Sequence, residues 1–273
     1  MVFTPKGKGE MKASIGLITW NAKRMLADCL DSILHKQWRY AYEIVIVDNG
    51  SQDGTIQMLR QEYIGQSQFP IKLITNKKNQ GVTKARNQII KAARGEFILM
   101  LDVDTLVLPG ALDVLVETMA AYPKAAVVGP KLVYRNGQLQ LSCRRFPSPL
   151  NIVIEGTVLR NWFPHSHFVK EYTMEDWDHA TVGEVDWVYG AAMLIRRQYL
   201  YDIGLFDEKF FYLYEDIDFC FRAKKKGYTV IYVPQAVIVH FLDREKKGMF
   251  HPLLKEHIKS IFRYLVKDYY GLL

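Results

Sequence analysis

The sequence has little cysteine: Cys29, Cys143 and Cys220 are its three, far apart in 273 residues. That spacing excludes a zinc finger and an evenly paired disulfide framework, and a reducing compartment is the simpler reading. No apolar stretch approaches the roughly 20 residues that cross a bilayer. The opening Met1 to Lys12 is polar and Gly/Lys-rich, unlike a signal peptide. The expectation is a cytoplasmic protein, free or peripheral on the inner face of the cytoplasmic membrane. No two segments are similar enough to form an internal repeat. With 49% hydrophobic and 24% charged residues, disorder, collagen and coiled coil are excluded, leaving one soluble domain of generous size or two small ones. Lys and Arg number 36 against 29 Asp and Glu, and this +7 favours an anionic partner. The basic residues are dispersed and no DNA- or RNA-binding motif is present, so nucleic acid is not the expected partner.

What is there is alternation. Between Ala13 and Val133, β-rich runs alternate with amphipathic segments of helical length, the pattern of a parallel sheet covered by helices on both faces. The strand candidates are Ala13–Thr19, Glu43–Asp48, Ile71–Thr75, Phe97–Leu101 and Ala125–Val128, rich in Ile, Val and Leu as doubly buried strands are. Helix candidates are Arg24–His35, Thr55–Tyr63, Val82–Ala93 and Gly110–Ala121. The implied fold is α/β, an open doubly wound, mostly parallel sheet flanked by helices, with right-handed crossovers. Further on, Lys131–Pro164 mixes possible strands with turns, and His165–Glu184 is polar and aromatic and reads as a mobile loop. Glu184–Arg196 is β-like, Tyr214–Lys226 a helix candidate, and Thr229–Phe241 one or two strands interrupted at Pro234. Pro252–Tyr270 reads as a helix with an apolar stripe of Leu254, Ile258, Ile261, Leu265 and Tyr269. Lys255, Lys259, Arg263 and Lys267 lie on another face.

In such sheets ligands bind beyond the carboxyl ends of the strands. Here the strand ends share one chemistry: Thr19-Trp20-Asn21, Asp48-Asn49-Gly50-Ser51, Asn76, and Asp102-Val103-Asp104. Two carboxylates two residues apart project to the same side of a strand, and hard oxygen ligands suit Mg²⁺ or Mn²⁺ with positions left for diphosphate. Alone, an Asp-x-Asp triplet is often just a turn. Asp48 closes a buried strand and can accept from a nucleobase N–H, whereas Asp53 and Thr55 can be satisfied as a turn and helix cap. After the Asn79-Gln80-Gly81 turn, Arg86 can pair with phosphate or with a carboxylate, and the sequence leaves both open. Glu215, Asp216 and Asp218 follow the aromatic run Phe210 to Tyr214 and open a helix. Any one of them suffices for capping, but an ionised carboxylate beside an aromatic pocket is also what a general base requires. His240 ends the apolar run Ala236 to Val239 and, although a lone His is commonly structural, would supply a third ligand to a carboxylate site.

Taken in order, these motifs resemble the inverting, nucleotide-sugar-dependent glycosyltransferases of the GT-A fold, family 2, and within it the rhamnosyltransferase-like branch, over about Ser14 to Phe241. The resemblance implies a GT-A domain at 13–245, between a polar tail at 1–12 and a basic amphipathic helix at 246–273. It assigns Thr19, Asn21, Asp48, Asn79, Arg86 and Asp102 to the nucleotide, and Asp104, Asp102 and His240 to the metal. Asp216 becomes the base with Glu215 in reserve, and Trp187, Tyr189 and Gly190 line the acceptor and donor-sugar pocket. The implied donor is a dTDP or UDP sugar, with rhamnose favoured. The acceptor is a cell-surface glycan or polyprenyl-diphosphate-linked glycan, which gives the basic helix a reason to touch anionic lipid. Phe241-Leu242-Asp243-Arg244-Glu245 departs from the Gly/Ser-rich stretch common in this branch. A sugar-1-phosphate nucleotidyltransferase would want a Gly-rich loop after the first strand, and Trp20 to Arg24 has no glycine. A non-catalytic nucleotide- or glycan-binding module is the other alternative.

Overall fold

The computed structural model describes residues 11–67, 69–156, 166–211, 213–241 and 254–271. Apolar runs of the first half form strands β1 (Ala13–Thr19), β2 (Tyr42–Asp48), β3 (Ile71–Thr75) and β4 (Phe97–Asp102), all pairing in parallel in the order β3-β2-β1-β4. The intervening helices are α1 (Lys23–Leu34), α2 (Thr55–Met58), which continues as a π-helical turn over Leu59–Tyr63, and α3 (Val82–Ala92). A short β5 (Thr105–Val107), α4 (Ala111–Ala121) and β6 (Ala125–Val133) complete this half.

The second half adds β7 (Cys143–Arg144), α5 (Pro149–Gly156), α6 (His167–Thr173), β8 (Gly183–Val185), β9 (Trp187–Val188) and β10 (Ala192–Arg196). Then come α7 (Leu200–Ile203), α8 (Glu215–Lys225), β11 (Thr229–His240) and α9 (Leu254–Tyr264), which ends in a π-helical turn over Leu265–Tyr269. The nine-stranded sheet runs β3-β2-β1-β4-β10-β6-β11-β5, with β8 also on β11, while β7 and β9 pair separately. Strands β1 to β4, β6 and β11 point one way, so the sheet is mostly parallel, with β5, β8 and β10 opposed. Two apolar layers flank it, one filled by α1 and α4 and the other by α3, α8 and Tyr264.

Three expectations change. First, β10 lies between β4 and β6 and is antiparallel to both. All five of its residues are buried, and Arg196 at its end donates to the carbonyls of Ala125 (3.0 Å), Tyr122 (3.1 Å) and Met119, tying α4 to β6. Second, the segment read as a mobile loop holds α6, whose Val169, Tyr172 and Thr173 are buried. Trp177 beyond it packs edge-on against Tyr232 at 5.3 Å, so aromatics that suggested a surface loop are anchors; residues 157–165 lie outside the described residues. Of the one or two strands expected over Thr229–Phe241, β11 is one, and the interruption at Pro234 is a register shift between Val233 and Val237 that absorbs the missing N–H.

Third, α9 faces the domain through a side other than its expected apolar stripe. Tyr264 is fully buried and donates its hydroxyl to the Pro147 carbonyl at 3.0 Å, and Ser260 and Asp268 are buried with it. Of the stripe, Leu265 packs partly on the core, whereas Ile258 is 57% and Tyr269 47% exposed. The basic face is divided as well. Arg263 gives two hydrogen bonds to Asp207 (3.0 and 2.6 Å), and Lys267 bonds Asp207 at 3.0 Å and Asp218. Against the upward push of burial, these bonds hold Asp207 down to about 2. Lys255 and Lys259 stay exposed, as does Phe262 at 69%.

Candidate active site

The ends of β1 and β2 form a small polar shelf. Asp48 Oδ1 accepts from the backbone N–H groups of Gly50 (3.1 Å) and Ser51 (3.0 Å). Its Oδ2 and the hydroxyl of Thr19 are buried without a hydrogen-bond partner among the described residues. A buried acceptor left bare costs about 1–3 kcal/mol, so this pair suits a ligand's N–H and polar edge. Asn21, at φ +49°, accepts from Gln52 N–H at 2.7 Å, and its own N–H reaches Ser51 Oγ at 2.9 Å, locking the first turn to the second. Asp53 accepts from Lys23 N–H and Thr55 N–H, a turn role. Asn79 Oδ1 accepts from Gly81 N–H and from Asn49, whose amide also bonds Gly81, Gln80 and Asn76. Buried Asn49 therefore ties the β2 edge to the loop that leads into α3, a role its neighbour Asp48 overshadowed in the sequence.

Next to this shelf, Asp102, Asp104 and His240 converge. One ligand atom from each lies within 4.8 Å of the others, and His240 Nε2 is 3.6 Å from Asp104 Oδ2. The convergence follows from topology. Asp102 ends β4, Asp104 turns into β5, and β5 pairs antiparallel with the end of β11, setting His240 opposite Thr105. Phe241 N–H then bonds the Asp104 carbonyl at 2.8 Å, which fixes the strand end to the Asp-x-Asp turn. Burial, and next the charge of Asp104, raise Asp102 to about 6, with Arg86 and His240 pulling it down. Two hard oxygens and an imidazole fit a divalent ion such as Mg²⁺ or Mn²⁺.

The third part is the start of α8. Leu213 and Tyr214 both have positive φ, +62° and +69°, so the chain enters the helix through two strained residues and delivers Glu215 and Asp216 at its first turn. Asp216, half-buried, accepts from Gly190 N–H with Oδ2 and from Ile217 N–H with Oδ1, both at 2.9 Å. Glu215 is 5% exposed, and its Oε1 lies 3.0 Å from Arg86, whose other terminal nitrogen donates to the Gly190 carbonyl at 3.0 Å. Gly190 thus holds Asp216 with its N–H and Arg86 with its carbonyl. A Cβ there would fall 2.4 Å from the guanidinium, so a larger residue would push Arg86 out of this position. Of the two partners open to Arg86, the structure supplies the carboxylate. Burial raises both acids, Glu215 to about 7, with Arg86 the main opposing influence.

Trp187 and Tyr189 flank Gly190. Trp187 is buried, stacks on Tyr189 at 5.5 Å and donates its indole N–H to the Arg145 carbonyl. Half-exposed Tyr189 accepts from Arg144 at 2.6 Å. Sequence reasoning missed Arg144 and Gln140, both from the Lys131–Pro164 stretch that showed no clear period.

The polar shelf and the Asp102–Asp104–His240 cluster lie at strand ends and the acid pair at the start of α8, and comparison with known proteins places this arrangement. Residues 14–204 match the family model "Glycosyl transferase family 2". The chain belongs to that family. It is 28% identical over 243 residues to the N-acetylglucosaminyl-diphospho-decaprenol L-rhamnosyltransferase of Mycobacterium tuberculosis, covering 84% of this chain and 76% of the relative. A shorter match, 35% over 83 residues, covers 30% of this chain and 31% of the rhamnosyltransferase WbbL of Escherichia coli K12. Among solved structures, GalNAc-T7 with UDP, GalNAc and Mn²⁺ superposes with a TM-score of 0.67 at 16% identity, over 94% of this chain. The Pyrobaculum calidifontis mannosyltransferase PcManGT with GDP-Man and Mn²⁺ gives 0.61 at 19% identity, over 89% of this chain and 60% of its own. The chain spans about half the length of GalNAc-T7, 48%. These likenesses establish the GT-A fold, and this family 2 member is a glycosyltransferase resembling rhamnosyltransferases.

Proposed function

We propose that the protein is a metal-dependent inverting glycosyltransferase that moves a sugar, with rhamnose favoured, from a dTDP- or UDP-linked donor to a hydroxyl of a cell-surface glycan on a polyprenyl diphosphate carrier. The observation that carries this reading is the joint placement of the Asp102–Asp104–His240 cluster and Asp216, close enough for Asp102 and Asp216 to share Arg86 as their stabilising charge. The bare acceptors Thr19 Oγ1 and Asp48 Oδ2 support a nucleobase on the shelf. The diphospho-decaprenol in the name of the mycobacterial relative supports the acceptor class.

The residues divide the work. Asp102, Asp104 and His240 would hold the divalent ion, which when bound neutralises charge on the departing diphosphate. Asp216 takes the proton of the acceptor hydroxyl as that oxygen attacks the sugar C1 from the face opposite the diphosphate. A single displacement inverts the anomeric centre and needs no covalent enzyme intermediate. Gly190 N–H orients the base, and Arg86, paired with Glu215, holds Gly190 through its carbonyl.

The test is calorimetric titration with UDP and with dTDP, each with Mn²⁺ and with EDTA. Binding that prefers one nucleotide and needs metal supports the proposal, and Asp104→Ala should remove the metal-dependent part while the protein stays folded. No binding of either nucleotide by folded protein would sink it.

The membrane contact is part of the same proposal, on a revised face. No helix among the described residues is long and apolar enough to cross a membrane. Exposed Ile258 and Phe262, flanked by Lys255 and Lys259, present an apolar edge with cations beside it, suited to an anionic lipid surface. Replacing both Ile258 and Phe262 by Ser should reduce sedimentation with phosphatidylglycerol vesicles several-fold without changing nucleotide binding. Unchanged sedimentation would remove this face from the proposal.

A further inference from the structure

Gln140 lies 100 residues from His240 in sequence and is 1% exposed, yet it meets that histidine twice. Its amide nitrogen donates to the His240 carbonyl oxygen at 2.8 Å, and its Oε1 lies 2.9 Å from His240 Nδ1. The proton positions follow from these two contacts. A backbone carbonyl only accepts, so the amide NH₂ must face it. Oε1 is then the atom against Nδ1, and because an amide oxygen also only accepts, Nδ1 must carry a hydrogen. In the neutral imidazole the lone pair is therefore on Nε2, the nitrogen 3.6 Å from Asp104 Oδ2.

The arrangement opposes what His240 would otherwise do. An imidazole beside the Asp104 carboxylate gains by turning an N–H toward it, and that tautomer would place a proton where a cation has to bind. Gln140 offers Nδ1–H a competing acceptor on the far side of the ring. It is itself held by its backbone, with N–H donating to the Leu132 carbonyl at 2.9 Å and the carbonyl accepting from Ser142 N–H at 2.7 Å. The segment that carries it leaves β6 through the Val133–Leu139 bridge, so the amide is mounted on the strand next to β11.

We infer that Gln140 is a positioning residue that selects the Nδ1–H tautomer of His240 and so presents Nε2 to a divalent cation shared with Asp102 and Asp104. The inference rests on the metal reading proposed above. Partners that orient a metal-bound histidine in this way typically account for 10- to 100-fold in metal affinity.

The first measurement is ¹⁵N NMR of the His240 ring in metal-free protein at pH 8, with His240→Gln identifying the signal. The expected spectrum has a protonated Nδ1 and a bare Nε2. The second is Mn²⁺ affinity by electron paramagnetic resonance, with Mn²⁺ alone as the probe. Gln140→Leu should weaken it 10- to 100-fold and move the ring proton to Nε2. Gln140→Glu, which keeps an acceptor against Nδ1, should retain the parental tautomer. A proton on Nε2 in the parent protein, or undiminished Mn²⁺ affinity in Gln140→Leu with the parental tautomer, overturns the inference. Because the parental NMR result needs no substitution, it stands even if Gln140→Leu folds poorly. A parent that binds no Mn²⁺ overturns the metal reading instead, and the ring spectrum separates the two failures.

Discussion

Asp216→Asn is expected to leave metal-dependent nucleotide affinity within a few-fold of the parent and to lower the rate of sugar transfer by roughly 10²- to 10⁴-fold, the contribution usual for a general base. The carboxylate accepts from Gly190 and Ile217 N–H with separate oxygens, so the amide keeps one of these two bonds, and it has no basic lone pair for the acceptor proton. Glu215→Gln provides the contrast. Glu215 is buried against Arg86, while Asp216 is half-buried, so the two acids differ in access before they differ in basicity. Loss of transfer only in Glu215→Gln would name the other acid as the base. The pH profile gives a second measurement. Burial raises Asp216, with Arg86 and the Gly190 and Ile217 hydrogen bonds opposing that rise. The base works deprotonated, so transfer should fall as pH drops through this raised value, with an acid limb above the ordinary carboxylate range of about 4. A rate flat down to pH 4 would exclude Asp216 as the titrating base.

Much of this site was legible because its chemistry sits where strands end. The apolar runs of β1 to β4 matched their strands closely, and the polar residues after them, Thr19, Asp48 and Asp102, fall on one edge because parallel strands share a carboxyl end. The direction of β10 was not legible. A run such as Ala192 to Arg196, apolar toward both faces, has the same composition whether its neighbours are parallel or antiparallel, and only the path of the chain decides. The partner of Arg86 was hidden for a related reason: Arg86 and Glu215 meet only when α3 and α8 pack on the same face of the sheet. The terminal helix misled through its own periodicity. Its apolar stripe is real, but Tyr264 at the centre of another face is the larger anchor, and the pairs from Arg263 and Lys267 to Asp207 hold that face inward.

Arg86→Met is expected to have the largest effect on stability, because it leaves Glu215 buried without its counter-ion. Removing one partner of a buried pair typically costs about 3–5 kcal/mol, and here the lost group also supplied the hydrogen bond to Gly190 and lay over the Phe206 ring at 5.3 Å. The pH dependence identifies the cause. Burial already raises Glu215 to about 7 with Arg86 present, and without that cation its folded value must rise further. A carboxyl whose folded pKa lies above its unfolded one, near 4.3, favours the folded state fully below the unfolded value and loses that contribution as pH rises through the folded value. The deficit of Arg86→Met relative to the parent should therefore be small near pH 4–5 and widen through pH 7 and above, measured by urea denaturation at each pH. Adding Glu215→Gln should remove most of this widening, since no charge is then left to strand. A deficit equal at all pH values would assign the loss to packing around Phe206 and Gly190, leaving Glu215 without the electrostatic dependence on Arg86 that the 3.0 Å pair implies.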